Sequence, residues 1–117
     1  MLVIAPYYED IACSQFIEEL SLEISEIDQL IIIDDGSSSE ILSPETFKKN
    51  GVTGKIIRLK RNLGHQAAIS IGIRYAVENY DVDKIVILDS DGEDKPSNIK
   101  TAHKNWEDIK GKDLGKL

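Results

Sequence analysis

The sequence predicts an α/β fold with a mostly parallel sheet, and two features predict it. Short apolar runs rich in Ile and Val recur at residues 2–5, 30–33, 55–59 and 85–88. Between them lie stretches with the spacing of amphipathic helices. Runs that are apolar on consecutive positions are how strands covered on both faces read. Strand–helix alternation then implies a three-layer sandwich with helices on both faces and right-handed crossovers.

The elements follow in order. Residues 2–5 (LVIA) come directly after Met1, with no basic flank and no small-residue cleavage site, so they read as a first strand and not as a signal peptide. Cys13, Phe16, Ile17, Leu20 and Ile24 then fall on one helical stripe, with Glu18, Glu19 and Glu23 on the other side. After the second strand, residues 40–50 form a weaker helix interrupted by Pro44, and Asn50-Gly51 is its stop. A third helix at 66–79 carries the small residues Ala67, Ala68, Gly72 and Ala76, which allow close packing on a sheet. Pro96 suits a first helical turn, and Ile99, Ala102, Trp106 and Ile109 stripe a fourth helix. The reading gives one domain over 1–110 and a flexible tail over 111–117, with no repeat, linker or low-complexity segment.

Composition narrows the function. A chain of 117 residues holds one domain, and 41% hydrophobic with 30% charged residues is the mix of a globular protein. No apolar run is long enough to span a membrane. The single cysteine, Cys13, rules out an internal disulfide and suits a reducing compartment. A net charge of −7 argues against nucleic acid as partner, but not against a phosphate-bearing ligand that arrives with a divalent metal. There is no G-x-G-x-x-G after the first strand, no G-x-x-x-x-G-K-[ST] and no G-x-S-x-G. The two histidines, His65 and His103, lie far apart, which disfavours zinc. A phosphorylatable receiver-like site needs a phosphate acceptor after strand three, where this chain has Lys60-Arg61-Asn62.

Every strand runs into polar residues: Pro6-Tyr7-Tyr8-Glu9-Asp10, Asp34-Asp35-Gly36-Ser37-Ser38-Ser39, Lys60-Arg61-Asn62-Leu63-Gly64-His65 and Asp89-Ser90-Asp91-Gly92-Glu93. In parallel sheets these loops share one rim, a candidate site. Asp89, Asp91, Glu93 and Asp94 crowd the end of strand four, a costly arrangement unless a cation or water answers it. Hard divalent cations take oxygen ligands, so Asp89 and Asp91 are candidate metal ligands. They also suit a turn, with Asp94 as a helix cap. Gly36 suits a tight turn and Ser37 a cap, while one of the adjacent Asp34 and Asp35 could accept hydrogen bonds from a base or ribose. Arg61 precedes a helix N-terminus, a place that favours anions such as phosphate. Tyr8 offers a ring for stacking, or is simply a half-buried rim tyrosine. His65 suits a surface or capping role.

Together these loops resemble the nucleotide-binding half of a family 2 glycosyltransferase of the GT-A type. PYYED is similar to that family's P-x-[YF]-N-E segment, and IIIDDGSSSE to its V-D-D-G-S segment. RNLGHQAAISIGI resembles the N-x-G-x-x-x-A segment of the polyprenyl-phosphate sugar transferase branch, and VILDSDGEDKP that branch's D-x-D-x-x-x-x-P. The four motifs cover about 90 of the 117 residues in order.

The resemblance implies a Rossmann-like sandwich with strand order 3-2-1-4 and a metal-dependent, inverting transfer from a nucleotide-diphosphate sugar. It implies that Pro6, Tyr8 and Asp10 belong to the nucleotide-facing first segment, with Tyr8 near the base. Asp35 would contact the base with Asp34 beside it, and Asn62 and Gly64 would line the pocket with Arg61 nearby. Asp89 and Asp91 would hold Mg²⁺ or Mn²⁺ at the donor diphosphate, with Glu93 a further ligand. The acceptor would be a lipid phosphate or a glycan of the cell envelope, and the location cytoplasmic, at the inner face of the membrane. Departures are Glu9, where the family usually has Asn, and the unusually acidic Glu93-Asp94. The chain also ends about where the family's second half, with the acceptor site and general base, should begin. The expectation is therefore a chain that binds nucleotide better than it transfers sugar, completed by a homo-oligomer or a C-terminal half. The alternative is a catalytically incomplete nucleotide-binding or interaction domain of the same fold.

Overall fold

The computed structural model describes residues 1–9, 13–25, 28–38, 42–81 and 83–88. The predicted fourth helix lies outside these residues. In chain order the described elements are β1 (Leu2–Tyr7), α1 (Cys13–Ser21), β2 (Gln29–Asp34), α2 (Pro44–Lys49), β3 (Thr53–Arg58), α3 (His65–Asn79) and β4 (Ile85–Ile87).

The strands form one four-stranded sheet in the order β3-β2-β1-β4, with every pairing parallel. Val3 stands opposite Leu30 on one side and Val86 on the other. All six residues of β1 are buried, as are the last five of β2, because both strands have a neighbour on each edge and helices on their faces. Burying one Leu or Ile completely stabilises by about 1.5–3 kcal/mol, so these two strands dominate the core.

Strand alternation divides that core in two. Val3, Ala5, Tyr7, Leu30 and Ile32 face one way and pack with Cys13, Phe16, Ile17 and Leu20 of α1 and Phe47 of α2. Leu2, Ile4, Ile31 and Ile33 face the other way and pack with Ala68 and Ala76 of α3. Gly72, between those alanines, is buried against the sheet: a Cβ there would stand 2.8 Å from Ile4 Cγ2.

Three details depart from expectation. Pro44 does not interrupt α2 but begins it, directly after Ser43 at the N-cap, where its missing N–H costs nothing. Ile24 lies past the end of α1, in a turn whose amide donates to the Leu20 carbonyl at 3.2 Å, and still packs on the core. β3 is not buried on both faces: it pairs with β2 alone among the described residues, and its residues are exposed or half-buried, with Ile56 on one core cluster and Ile57 on the other. Among the described residues no helix is long and apolar enough to cross a membrane.

Candidate functional site

The order β3-β2-β1-β4 has a consequence for ligand binding. The chain steps from β1 to β2 to β3 in one direction, with α1 and α2 on one face. It then returns past β1 to β4, with α3 on the other face. The order therefore reverses between β1 and β4. In open parallel sheets such a point opens a crevice outside the carboxyl ends of the strands. The loops leaving β1, β2 and β3 all reach this rim.

At the end of β2, the strand period of two sends consecutive aspartates to opposite faces. Asp34 is almost fully buried and faces Arg58, its register partner on β3. Arg58 Nη1 donates to Asp34 Oδ2 at 2.7 Å, and Arg58 Nη2 donates to the Leu42 carbonyl. The Ser37 amide donates to Asp34 Oδ1 at 3.0 Å, which closes the turn around Gly36.

Asp35 is equally buried and faces the α3 side. Its Oδ1 accepts the Leu63 amide at 2.8 Å and its Oδ2 the Gly64 amide at 3.0 Å. Its carbonyl accepts Asn62 Nδ2 at 3.1 Å, and its own amide donates to the Tyr7 carbonyl at 2.8 Å. An anion was expected beside the start of α3. The one that stands there is this internal carboxylate, on the two amides just before the helix. Gly64, at φ +104, is the N-cap of α3 and has no side chain with which to cap it.

The turn after β2 and the loop after β3 also touch directly. Gly36 has φ +79, and a Cβ there would fall inside the backbone of Arg61 and Asn62. Only glycine fits both the conformation and the space.

Toward β1 the link is Glu9. Its amide donates to Ser37 Oγ at 2.9 Å, the Ser38 amide donates to Glu9 Oε1 at 2.8 Å, and the Ser38 hydroxyl donates to the same oxygen. These bonds, the hydroxyl first and then the amide, hold the Glu9 carboxyl below the ordinary carboxylate range.

The predicted residues therefore sort as follows. Asp34, Asp35, Asn62 and Gly64 are brought together as one bonded rim. Pro6 is buried in β1 opposite Ile33, Tyr8 is 47% exposed just past it, and Arg61 is exposed on the loop after β3. Asp10, Asp89, Asp91 and Glu93 lie outside the described residues. β4 leads toward the last three: the Leu88 amide donates to the Ile4 carbonyl at 3.0 Å, which keeps that strand end beside β1. Among the described residues no group of His, Cys, Asp and Glu could hold a metal ion. Sequence reasoning missed Arg58 and the partners of Glu9. An alternating strand could have suggested the face of Arg58 but not its register.

Relatives of known structure share this architecture. The S. aureus TarS fragment 1-349 superposes with a TM-score of 0.61 at 21% identity, over 92% of this chain and 32% of that one. The same fragment has been crystallised in complex with UDP, and it superposes with the same TM-score of 0.61. Over 113 residues the chain is 33% identical to the uncharacterized glycosyltransferase YkcC of Bacillus subtilis (strain 168). The match spans 92% of this chain and 33% of YkcC, so the chain corresponds to about a third of that relative. The family model described as Glycosyl transferase family 2 matches residues 3–110, nearly the whole of the fold and rim just described, and the chain belongs to that family.

Proposed function

We propose that this domain binds a nucleotide-diphosphate sugar across the rim at the β1–β4 crevice and serves as the donor side of an inverting, metal-dependent transfer to a polyprenyl phosphate or glycan. The observation that carries this reading is the bonded rim itself. Asp35 joins the ends of β1, β2 and β3 by four hydrogen bonds beside the topological switch point. A pocket fixed before the ligand arrives loses less ordering entropy on binding. The UDP complex of the TarS fragment supports a nucleotide as the ligand.

The roles are those that the family resemblance implies. Tyr8 stacks on the base. Asp35 uses two of its roughly four lone-pair sites on Leu63 and Gly64, which leaves acceptor capacity for a base N–H. Asn62, Gly64 and Arg61 line the side of the pocket on the loop after β3, and Asp34 holds the turn after β2 through Arg58. Asp10 and Pro6 complete the first wall. Asp89, Asp91 and Glu93 offer an all-oxygen donor set, which fits Mg²⁺ or Mn²⁺. When bound, the cation would neutralise charge on the departing diphosphate. A polyprenyl-phosphate acceptor would place the domain at the inner face of the membrane, in cell-envelope synthesis.

Calorimetric titration with UDP, GDP and their sugar conjugates, in Mn²⁺ and again in EDTA, tests the reading. One nucleotide is expected to bind only with metal, and Asp91→Ala is expected to abolish that binding. Unchanged affinity in Asp91→Ala removes the metal assignment, and no binding by the folded wild type removes the donor reading. A second reading is a nucleotide-binding domain without transfer chemistry. Donor hydrolysis or sugar transfer by the purified 117 residues would overturn it.

A further inference from the structure

We infer that Glu9 is a positioning residue of the nucleotide site, which fixes the exposed Tyr8 ring by clamping the end of β1 to the turn after β2. The inference rests on the nucleotide reading above. Glu9 has φ +52, the left-handed region that L side chains with a Cβ avoid, and it is the one non-glycine residue at positive φ among the described residues. Strained conformations persist where surrounding bonds over-determine them.

Here three bonds do so. They come from two consecutive serines, 28 and 29 positions away in sequence. The Glu9 amide holds the Ser37 hydroxyl, and the Glu9 carboxylate holds both the amide and the hydroxyl of Ser38. Ser37 is in turn fixed by Asp34, so Glu9 is anchored to the same rim that Asp34 and Asp35 build.

Tyr8 sits between two fixed points. Before it, Pro6 and Tyr7 are buried and paired with Ile33 and Asp34 of β2, and after it comes the clamp. The ring itself is 47% exposed. Its backbone is thereby set without the ring being used up in packing, which is what a stacking platform requires. The Ser38 contacts are exposed, so they add little to global stability, and their effect is local.

The test uses the ¹⁵N-labelled 117-residue chain, with UDP in the presence of Mg²⁺ as probe, and compares Glu9→Ala with Glu9→Gln. Hydrogen exchange at the Ser38 amide reads the clamp, the Tyr8 ring resonances and calorimetry read the ligand, and the melting temperature reads the fold. Glu9→Ala is expected to speed Ser38 exchange and to weaken UDP about tenfold, the equivalent of roughly one hydrogen bond, with the melting temperature unchanged. Glu9→Gln keeps an acceptor at the same reach and is expected to restore affinity to within about threefold of wild type. Wild-type affinity in Glu9→Ala overturns the inference. So does a Glu9→Ala loss that tracks a fall in melting temperature and that Glu9→Gln fails to rescue. If the folded wild type binds no UDP or GDP with any metal, the donor reading fails; a Ser38 amide that is still protected would then show a clamp that positions nothing, and the inference falls separately.

Discussion

Two adjacent carboxylates at the end of a buried strand need donors, and Asp34 and Asp35 find theirs on opposite faces of the sheet. Asp35 matters more for the rim, because its partners are the two backbone amides just before α3. Removing the carboxylate leaves the Leu63 and Gly64 amides to be answered by water at the edge of the core. With net values of about 1.5–3 kcal/mol for a charged hydrogen bond, Asp35→Ala should lower stability by about 3 kcal/mol and Asp35→Asn by about half that. Urea unfolding checks this, and an unchanged midpoint in Asp35→Ala would show that the carboxylate does not hold the loop. Any loss of nucleotide affinity in these variants has to be read against that loss of stability.

The Glu9 carboxyl gives a second prediction at this scale. Hydrogen bonds from Ser38 lower its folded pKa, so the clamp is fully formed above the ordinary value of about 4.5 and is lost as pH falls through the lowered value. Ser38 amide protection should therefore persist at pH 5 and fade below about pH 4.5 in wild type, and show no such step in Glu9→Gln. The sequence displayed the Asp34-Asp35 pair plainly, and the strand period already implied opposite faces. It could not name Arg58, because the register of β2 against β3 depends on pairing between distant segments. Nothing local encodes a left-handed Glu9.

At the level of elements, the clearest sequence signal was the run of small residues in the third helix. Ala68, Gly72 and Ala76 recur every fourth position and form the buried face of α3. Their size sets how near the helix lies to Ile4 and Ile33. At Gly72, Ala would gain about 1 kcal/mol in helix propensity but would overpack against a stiff, fully buried β-branched side chain, at a cost of about 1–3 kcal/mol. Gly72→Ala should thus be destabilising by about 1 kcal/mol, and Gly72→Val by about 2–3 kcal/mol because it gains little propensity and adds two methyl groups. Denaturant midpoints decide this, and a stabilised Gly72→Ala would mean that the sheet surface yields more easily than its packing suggests. The weaker readings failed for physical reasons. Within α2 the proline looked like an interruption because the periodicity before it was counted as helix, whereas Pro is best tolerated at the first helical position. The exposure of β3 was hidden because an apolar run does not say whether its strand is central or at an edge.

For the whole molecule, the excess of acid connects the sheet topology to the proposed cation. The chain carries 21 acidic against 14 basic side chains, a net charge of −7, so any added salt will relieve some self-repulsion. A site at Asp89, Asp91 and Glu93 predicts something that screening does not. A cation bound only by the folded state stabilises it by RT ln(1 + [L]/Kd), about 1.4 kcal/mol at ten times Kd. For a domain near this size that corresponds to a rise of roughly 5–10 °C in melting temperature. Mn²⁺ should therefore raise the melting temperature well beyond NaCl at matched ionic strength. UDP should add to the Mn²⁺ effect, and EDTA should reverse it. Asp89→Ala and Asp91→Ala should respond to Mn²⁺ no more than to NaCl, while keeping the wild-type response to NaCl. Equal shifts from the two salts in wild type would mean that the carboxylates after β4 are only a screened surface. The switch point between β1 and β4 would then hold its ligand through the rim of Asp35, Asn62 and Gly64 alone.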